Sequence, residues 1–216
     1  KRLIFKNAKK VIAVSNYTKD IVVKSGAREG SVDVVHNGVD INRFKPDMDA
    51  GEIILRHNLI GKRILLTVSR LNDEYKGHDT VIKLMPQLLK KVPNIVYLIV
   101  GFGRDRGSLE LLVKKKNLEN NVIFAGYVDK ASLPLYYNAC DIFIMLTKEE
   151  LDRGLFEGFG LVYLEANSCC KPVIGARTGG IPDAIVDGRT GYLIDPNNPR
   201  EIIDKIISLL ENEQLA

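Results

Sequence analysis

Short, continuous apolar segments alternate with segments of helical spacing through most of this 216-residue chain. The apolar segments do not alternate with polar residues, as expected of strands that are covered on both faces. The predicted strands are Ile64–Ser69, Ile95–Val100, Val122–Tyr127, Ile142–Leu146, Pro172–Ala176 and Gly191–Ile194; the predicted helices are Asp79–Lys91, Asp105–Lys116, Ser132–Ala139, Leu161–Ser168 and Pro199–Leu210. Strand-then-helix units in succession predict a parallel sheet with right-handed crossovers, which is a doubly wound, Rossmann-like α/β fold.

The first part of the chain carries a different pattern. Two short strands, Val11–Ser15 and Val32–Val35, are predicted on either side of a helix over Asn16–Gly26. A turn at Asn37-Gly38 follows. The polar segment Asn42–Arg56, which contains a proline, predicts a linker.

Two strands and one helix bury too little apolar surface to form a core of their own. We therefore expect residues 1–46 to be the tail of a preceding domain together with an interdomain hinge. Residues 47–216 then form the α/β domain. On this interpretation the chain is a fragment that is truncated at both ends.

Charge and composition exclude several classes of protein. The formal net charge of +4 suits a phosphate-bearing ligand or an anionic membrane surface, but Lys and Arg are dispersed without a nucleic-acid recognition motif. No apolar run reaches the roughly 18 residues of a membrane span. Three cysteines, two of them adjacent, do not suggest a disulfide framework, and Cys169 and Cys170 are predicted to be buried helix residues. A reducing, cytoplasmic compartment fits best.

Two cations follow the first strand of the predicted sheet. Arg70 comes directly after Ile64–Ser69, at the carboxyl end where open α/β sheets bind their ligands, and Lys76 precedes the next helix. Two cations at this edge are suited to clamping a diphosphate and to neutralising the charge that grows as it leaves. Two solvated loop residues would give the same pattern.

A glycine pair, Gly101 and Gly103, follows the next strand. Glycines at this point let a ligand approach the backbone, or let the chain turn tightly into the following helix. The pattern is only loosely similar to a dinucleotide fingerprint, because the third glycine, Gly107, comes one residue late.

The segment Glu157–Glu165 (EGFGLVYLE) carries the most information about a site. Gly158 and Gly160 are unsuited to a helix interior, so they are expected just before the helix that starts at Leu161. Free N–H groups and the positive end of the helix dipole favour an anion such as phosphate at that place. Glu157 and Glu165 would repel a phosphate in direct contact, and they are better suited to accept hydrogen bonds from sugar hydroxyls.

A second glycine-rich loop, Arg177–Asp183, follows the strand Pro172–Ala176. We expect it to pack around the site rather than to act on a ligand. The histidines have no spacing typical of a metal site, and the sequence contains neither a phosphate-binding Walker A motif nor a nucleophile elbow.

Taken together, these segments resemble glycosyltransferase family 4, the group 1 glycosyltransferases of GT-B architecture. The resemblance runs through VIAVSNYT, VVHNGVDINRFKP, LLTVSRLNDEYKGHD, LIVGFGRDRGSLE, NVIFAGYVD and EGFGLVYLEANSCCKPVIGARTGGIPDAIVDGRTGYLIDP. It implies that residues 47–216 are the nucleotide-sugar (donor) domain, the C-terminal half of a GT-B fold. Residues 1–46 are then the end of the acceptor domain and the hinge.

The resemblance also implies roles for individual residues. Arg70 and Lys76 match the pair that binds the donor diphosphate, and Glu157 matches the carboxylate that contacts the transferred sugar. These three are the predicted catalytic residues. Glu165 matches the ribose-binding carboxylate, and Tyr127 and Val128 match the strand end whose backbone reads the base. The predicted donor-binding residues are Gly101, Gly103, Tyr127, Val128, Gly158, Phe159, Gly160, Leu161 and Glu165.

The implied activity is transfer of a hexose-type sugar from a UDP-, GDP- or ADP-sugar to a lipid-linked or glycan acceptor, with retention and without a metal or other cofactor. The long loop Lys148–Phe156 before EGFG is similar to that of enzymes that build lipid-linked or surface glycans, including phosphatidylinositol mannosyltransferase-like ones. The expected process is the biosynthesis of lipopolysaccharide or another surface glycan. The predicted partners are therefore the nucleotide sugar and the acceptor, not nucleic acid, with the whole enzyme peripheral to the inner face of the membrane. The alternatives are a nucleotide-sugar epimerase of the same architecture, a non-catalytic binding module and an NAD(P)-dependent Rossmann oxidoreductase.

Overall fold

The structure is a computed structural model that describes residue 5, residues 7–72 and residues 74–212. Both ends of the chain, which the predicted domain ranges include, therefore lie in part outside the described residues. The described chain forms two parallel sheets, one of two strands and one of six.

The smaller sheet comes first and consists of β1 (Val11–Ala13) and β2 (Val32–Val34), with helix α1 (Asn16–Lys24) between them. The helix begins with a reciprocal cap: the Thr18 N–H donates to Ser15 Oγ at 3.0 Å, and the Ser15 N–H donates to Thr18 Oγ1 at 2.9 Å. It ends at Lys24, two residues before the predicted end, and Gly26 follows with φ 108°.

The larger sheet contains all six strands predicted for it, each within one residue of its predicted bounds. They are β3 (Arg63–Val68), β4 (Ile95–Val100), β5 (Val122–Gly126), β6 (Ile142–Met145), β7 (Val173–Ala176) and β8 (Tyr192–Ile194). Their order is β5-β4-β3-β6-β7-β8, and every neighbouring pair is parallel. The strand order therefore reverses between β3 and β6, and such a switch point leaves a crevice at the carboxyl ends of the two strands.

Helices cover both faces of this sheet. They are α2 (Gly51–Arg56), α3 (His78–Lys91), α4 (Arg106–Lys115), α5 (Leu133–Ala139), α6 (Leu161–Ser168), α7 (Ile181–Ala184) and α8 (Pro199–Glu211). Single turns of 3-10 helix occur at Glu29–Ser31, Glu74–Lys76 and Leu151–Arg153. The predicted doubly wound α/β fold is confirmed, and the five predicted helices agree with the structure to within one residue at each end.

Two apolar cores, one on each face, explain why the strands read as continuous apolar runs. Leu66, Leu98 and Phe143 lie in the core that α2, α5 and α6 cover, whereas neighbouring positions in the same strands, such as Leu65 and Ile99, lie in the core beneath α3, α4 and α8. Successive side chains of a strand point to opposite faces, so both must be apolar where both faces are covered.

The prediction of a linker over Asn42–Arg56 is wrong in its second half, where α2 forms. Ile53 of this six-residue helix is buried in the core, and His57 Nε2, just beyond the helix, lies 3.0 Å from Tyr136 Oη of α5. Phe44, earlier in the same segment, is also buried and meets the Tyr137 ring edge-on at a centroid distance of 5.7 Å. Tertiary contacts thus stabilise a helix that is too short to give a recognisable periodic pattern in the sequence.

The prediction that the adjacent cysteines are buried helix residues holds only for the burial of Cys169, since both lie beyond the end of α6. Cys169 is buried, directly after α6, but Cys170 is exposed and has φ 54°. The chain leaves the helix at this point, because Lys171 N–H turns back to donate to the Ala166 carbonyl. Residue 170 consequently faces solvent.

The glycines after β4 serve the packing of the chain. A Cβ atom on Gly101 would lie 1.8 Å from the Ser69 carbonyl oxygen, and one on Gly103 would lie 2.4 Å from the carbonyl carbon of Leu71. Gly107, inside α4, has no atom within 4 Å of such a Cβ. In a dinucleotide fingerprint the third glycine allows close packing of helix on strand. Gly107 has no such role, which argues against the NAD(P) alternative.

We expect Gly101→Ala to lower the free energy of unfolding by about 2 kcal/mol or more, because two backbone segments must separate to admit the methyl group. Gly107→Ala is the matched control: it adds the same atoms in open space within a helix, where alanine stabilises by up to about 1 kcal/mol. Urea unfolding of both variants measures the difference. Equal effects of the two substitutions would contradict the packing role of Gly101.

Candidate active-site cleft

A cleft of roughly 320 Å³ lies at the switch point, above the carboxyl ends of β3 and β6. Val68 and Met145, the last residues of these two strands, form part of its floor. The predicted site residues that line it are Arg70, Lys76, Glu157, Gly158, Phe159, Gly160 and Leu161. Residues far apart in sequence thus meet at one edge of the sheet.

The two predicted cations reach this cleft from the segment between β3 and α3. Arg70 is exposed, two residues beyond the end of β3. Lys76 is the last residue of the short turn before α3, and Gly77 follows it with φ 78°. A Cβ on Gly77 would lie 2.1 Å from the Leu146 carbonyl oxygen, so this glycine lets the segment pack against the end of β6. That close approach brings Lys76 to the cleft.

Lys76 forms an ion pair with Glu157. The distance from Lys76 Nζ to Glu157 Oε2 is 2.7 Å, and the side chains are only 11% and 17% exposed. The ammonium group also lies 4.7 Å from the centroid of the Tyr75 ring. The sequence predicted both residues for the site but not their contact. Both residues line the cleft, and the nearby ammonium group offsets the repulsion that the Glu157 carboxylate would exert on an anion there.

The glycine segment ends at the amino terminus of α6, as predicted. Gly160 has φ 93°, and no side chain caps the helix. Gly160, Leu161 and Val162 line the cleft. The first backbone N–H groups of α6 and the positive end of its dipole are therefore available to an anionic group there.

The second glycine-rich loop packs against this segment, in agreement with the prediction. The Gly180 N–H donates to the Glu157 carbonyl at 2.8 Å, and a Cβ on Gly180 would lie 2.0 Å from the Gly158 carbonyl oxygen. A Cβ on Gly179 would lie 2.5 Å from the Glu157 carbonyl oxygen. The loop fixes the backbone of the residues that line the cleft.

A second, more apolar cavity of about 250 Å³ adjoins the first, at the carboxyl ends of β4 and β5. Two exposed aromatic rings mark it: Phe102 and Tyr127 meet edge-to-face with a centroid distance of 5.8 Å. The predicted residues Gly101, Tyr127 and Val128 line this cavity. Flat apolar surfaces with exposed aromatic rings suit a planar ring of a ligand.

Two predicted donor-binding residues, Gly103 and Glu165, do not line either cavity. Glu165 lies in the second turn of α6 and accepts a hydrogen bond from Tyr137 Oη at 2.6 Å. Burial raises the pKa of its carboxyl group, against the opposing effects of this hydrogen bond and of the Arg43 charge. Gly103 packs on Leu71, as described above.

Several residues of the cleft were missed by the sequence reasoning. Val14 and Asn37 come from the ends of the smaller sheet, and Ser69 and Val162 line both cavities. The smaller sheet is held at the cleft by Asp183, whose Oδ2 accepts from the Asn16 N–H at 3.0 Å. The resemblance supplies a signal, since VIAVSNYT and VVHNGVD contain Val14 and Asn37, but it implies no role for either residue.

One buried histidine lies directly behind the cleft. His78, at the start of α3, is 4% exposed; its Nε2 lies 2.7 Å from Ser69 Oγ and its Nδ1 3.1 Å from Tyr97 Oη. Burial lowers the pKa of its imidazole to about 4, and the Lys76 charge acts in the same direction. The imidazole is therefore neutral at physiological pH.

Within the described residues, no group of three or more His, Cys, Asp or Glu side chains is arranged to hold a metal ion. The helices of that same part of the chain include none with the length and apolar character needed to cross a membrane.

The fold and the cleft define an open α/β protein with a candidate ligand site at the strand-order switch. A family model described as glycosyl transferases group 1 matches residues 52–216, and the chain therefore belongs to this family. A second model, described as glycosyltransferase family 4, matches residues 1–43. The resemblance to GT-B enzymes is confirmed.

Known proteins agree with this assignment. A GDP-mannose-dependent alpha-(1-6)-phosphatidylinositol monomannoside mannosyltransferase of Mycolicibacterium smegmatis is 31% identical, over 100% of this chain and 56% of that protein. The crystal structure of Anabaena Alr3699/HepE in complex with UDP and glucose is similar with a TM-score of 0.87 and 26% identity, over 99% of this chain and 56% of that one. The chain thus spans about half the length of these relatives.

A solved C-terminal domain is also similar. It belongs to LpcC, a glycosyl transferase group 1 family protein of Francisella tularensis, and has a TM-score of 0.68 and 29% identity, over 82% of this chain and 90% of that domain.

The neutral, buried state of His78 predicts a pH dependence of stability. The folded-state pKa is about 4, and an exposed histidine in the unfolded chain titrates near 6.5, so the unfolded state binds more protons between these values. Its contribution to stability is complete above pH 6.5 and is lost as the pH falls towards 4. From pH 7 to pH 5 we expect a loss of about 2 kcal/mol from this residue.

Urea unfolding at both pH values, compared between the wild type and His78→Asn, measures that loss. The difference between pH 7 and pH 5 should be smaller in the variant by the stated amount. A variant that keeps the full pH dependence would assign it to other groups.

Proposed function

We propose that this chain is the donor-binding part of a glycosyltransferase that moves a hexose-type sugar from a nucleoside diphosphate sugar to a lipid-linked or glycan acceptor. The observation that carries the proposal is the convergence of Arg70, Lys76 and the uncapped start of α6 on one cleft at the switch point. Two cations and a helix amino terminus at a single place suit a diphosphate better than any other common metabolite group.

The adjoining cavity supports a nucleoside as the rest of the ligand. A base lying against Phe102 and Tyr127 would place its ribose near Ser69 and Val162, which line both cavities, and its diphosphate near Lys76 and α6. The predicted reading of the base by the backbone of Tyr127 and Val128 agrees with this placement. In this arrangement Glu157 is beyond the diphosphate, where the sugar lies.

In the proposed reaction the bond between the anomeric carbon and the β-phosphate oxygen breaks, and the leaving nucleoside diphosphate keeps the electron pair. Arg70 and Lys76 stabilise the negative charge that grows on it. The acceptor hydroxyl oxygen bonds to the anomeric carbon, and its proton passes to the leaving phosphate. The two cations supply the electrostatic stabilisation that a metal ion could otherwise give, which supports the proposal that no metal is needed.

Retention is part of the proposal. The carboxylate of Glu157, which lines the cleft, is paired with Lys76 at 2.7 Å. An inverting displacement needs a free base to take the proton of the acceptor, and the paired carboxylate is poorly suited to that task. In a retaining reaction the nucleoside diphosphate departs and the acceptor hydroxyl attacks on the same face of the sugar. The leaving phosphate is then close enough to take the proton of the acceptor instead.

Donor base, acceptor and location rest on analogy. The Mycolicibacterium relative is named for GDP-mannose and a phosphatidylinositol monomannoside acceptor, and the Anabaena structure contains UDP and glucose. A lipid-linked acceptor and a peripheral position at the inner face of the membrane stay predictions. An epimerase of the same architecture would release an isomerised donor, with no sugar transferred.

We expect Lys76→Ala and Arg70→Ala each to weaken binding of nucleoside diphosphates by about 10- to 100-fold, because a charge-assisted hydrogen bond to phosphate is lost. Lys114→Ala, which removes the same charge from an exposed position of α4, should leave the affinity unchanged. Calorimetry with UDP, GDP, ADP and NADH measures the effect and ranks the bases. Tighter binding of NADH than of every diphosphate would overturn the proposal.

The whole protein that contains this chain should transfer sugar at the same rate with and without EDTA, and an α-linked donor should give an α-linked product. Glu157→Gln should lower the rate by about 100-fold or more, because it removes a contact to the sugar and the partner of Lys76. Proton NMR of the product gives the anomeric configuration. A β-linked product would refute retention. An isomerised donor without any transferred sugar would refute the transfer reaction itself.

A further inference from the structure

A line of four polar side chains runs from the cleft into the sheet. Ser69 is half-buried and lines the cleft. Its Oγ lies 2.7 Å from His78 Nε2, and His78 Nδ1 lies 3.1 Å from Tyr97 Oη. Tyr97 Oη donates to Thr67 Oγ1 at 2.8 Å, and Thr67 donates to the Ile144 carbonyl. Tyr97, Thr67 and His78 are all at most 4% exposed. The described site uses Ser69 only as part of its wall.

The direction of every hydrogen bond in this line is fixed from its inner end. A backbone carbonyl can only accept, so the single hydroxyl hydrogen of Thr67 points to Ile144. Thr67 must then accept from Tyr97, whose own hydrogen is used in that bond. Tyr97 Oη consequently accepts from His78, which places the imidazole hydrogen on Nδ1.

The outer end of the line follows from the same logic. A neutral imidazole with its hydrogen on Nδ1 has a lone pair on Nε2, which accepts the Ser69 hydroxyl hydrogen. The Arg70 carbonyl, 3.2 Å from Ser69 Oγ, is the other acceptor within reach. In either case the hydrogen is bonded inside the protein, and the lone pairs of Ser69 Oγ remain for the cleft.

Ser69 lies at the boundary between the two cavities, since it lines both, as do its neighbours Val68 and Arg70 and also Val162. An oxygen that can only accept does not suit a phosphate, whose oxygens are also acceptors. It suits a hydroxyl group. If the base lies in the cavity of Phe102 and Tyr127 and the diphosphate lies at Lys76, the group between them is the ribose, whose hydroxyls are donors.

We propose that Ser69 accepts a hydrogen bond from a ribose hydroxyl of the donor nucleotide, and that His78 is the positioning residue that fixes Ser69 as an acceptor. This inference rests on the proposed function, because it needs a nucleotide in the cleft. It gives the chain a means of preferring ribonucleotides over deoxyribonucleotides that does not depend on Glu165.

The test compares the affinities of a ribonucleoside diphosphate and of its 2′-deoxy and 3′-deoxy analogues. In the wild type, loss of the bonded hydroxyl should weaken binding by about three- to tenfold, the contribution of one neutral hydrogen bond. In Ser69→Ala the same pair of ligands should bind within about twofold of each other. Calorimetry with the tightest-binding base of the panel measures both.

The positioning role of His78 is tested with His78→Asn and Tyr97→Phe. His78→Asn removes the acceptor for the Ser69 hydroxyl, and Tyr97→Phe removes the acceptor that holds the imidazole hydrogen on Nδ1. Each should reduce the discrimination against the deoxy analogue. His57→Asn is the control, because it removes a comparable contact to Tyr136 Oη on the other face of the sheet and should leave the discrimination intact.

The outcomes separate the two proposals. Binding of no nucleoside diphosphate by the wild type would overturn both. Binding without discrimination at either hydroxyl, or discrimination that Ser69→Ala leaves unchanged, would overturn this inference alone. Full discrimination in folded His78→Asn and Tyr97→Phe would remove the positioning role. If either of these variants fails to fold, the Ser69→Ala result still decides the contact itself.

Discussion

The ion pair between Lys76 and Glu157 organises the site. It joins residues 81 positions apart in sequence, one from the turn before α3 and one from the loop before α6. Its side chains are largely withdrawn from water, so that neither charge could remain there without the other at acceptable cost. Lys76 and Glu157 thus neutralise each other in the cleft, and Arg70 adds one further positive charge for an arriving diphosphate.

The arrangement that brings these charges together is the reversal of strand order between β3 and β6. The segments after the two strands diverge over the sheet and leave a crevice between them. Close backbone contacts then define its shape: Gly77 against Leu146, Gly101 against Ser69 and Gly180 against Gly158. Sheet topology sets where a ligand can lie, and these contacts set how the polar groups face it.

Much of the fold could be predicted from the sequence, because strands covered on both faces leave unmistakable apolar runs, as Ile95–Val100 does. Helix α2 could not be predicted, since its six residues depend on contacts with α5 rather than on an internal pattern. Cys170 was misplaced because a helix end that turns back on itself carries no glycine signal here.

The site shows the same division. Arg70 and Lys76 could be predicted as site residues because they follow a strand of the sheet. Gly160 could be predicted because it precedes the start of a helix. The contact between Lys76 and Glu157, and the line from Ser69 to Thr67, depend on side-chain geometry across separate elements, which single-sequence patterns do not encode. Val14 and Asn37 reach the cleft from a separate sheet, so only the folded chain shows that they belong to it.

The glycines have a practical consequence for anyone who wishes to alter the ligand preference of the cleft. Added methyl groups at Gly77, Gly101 and Gly180 would meet backbone carbonyls of the protein. Substitutions at these positions would therefore displace the main chain, which makes them poor targets for changing ligand preference. Libraries that aim at a different ligand have more freedom at Asn37 and Phe102, whose side chains line the open cavities.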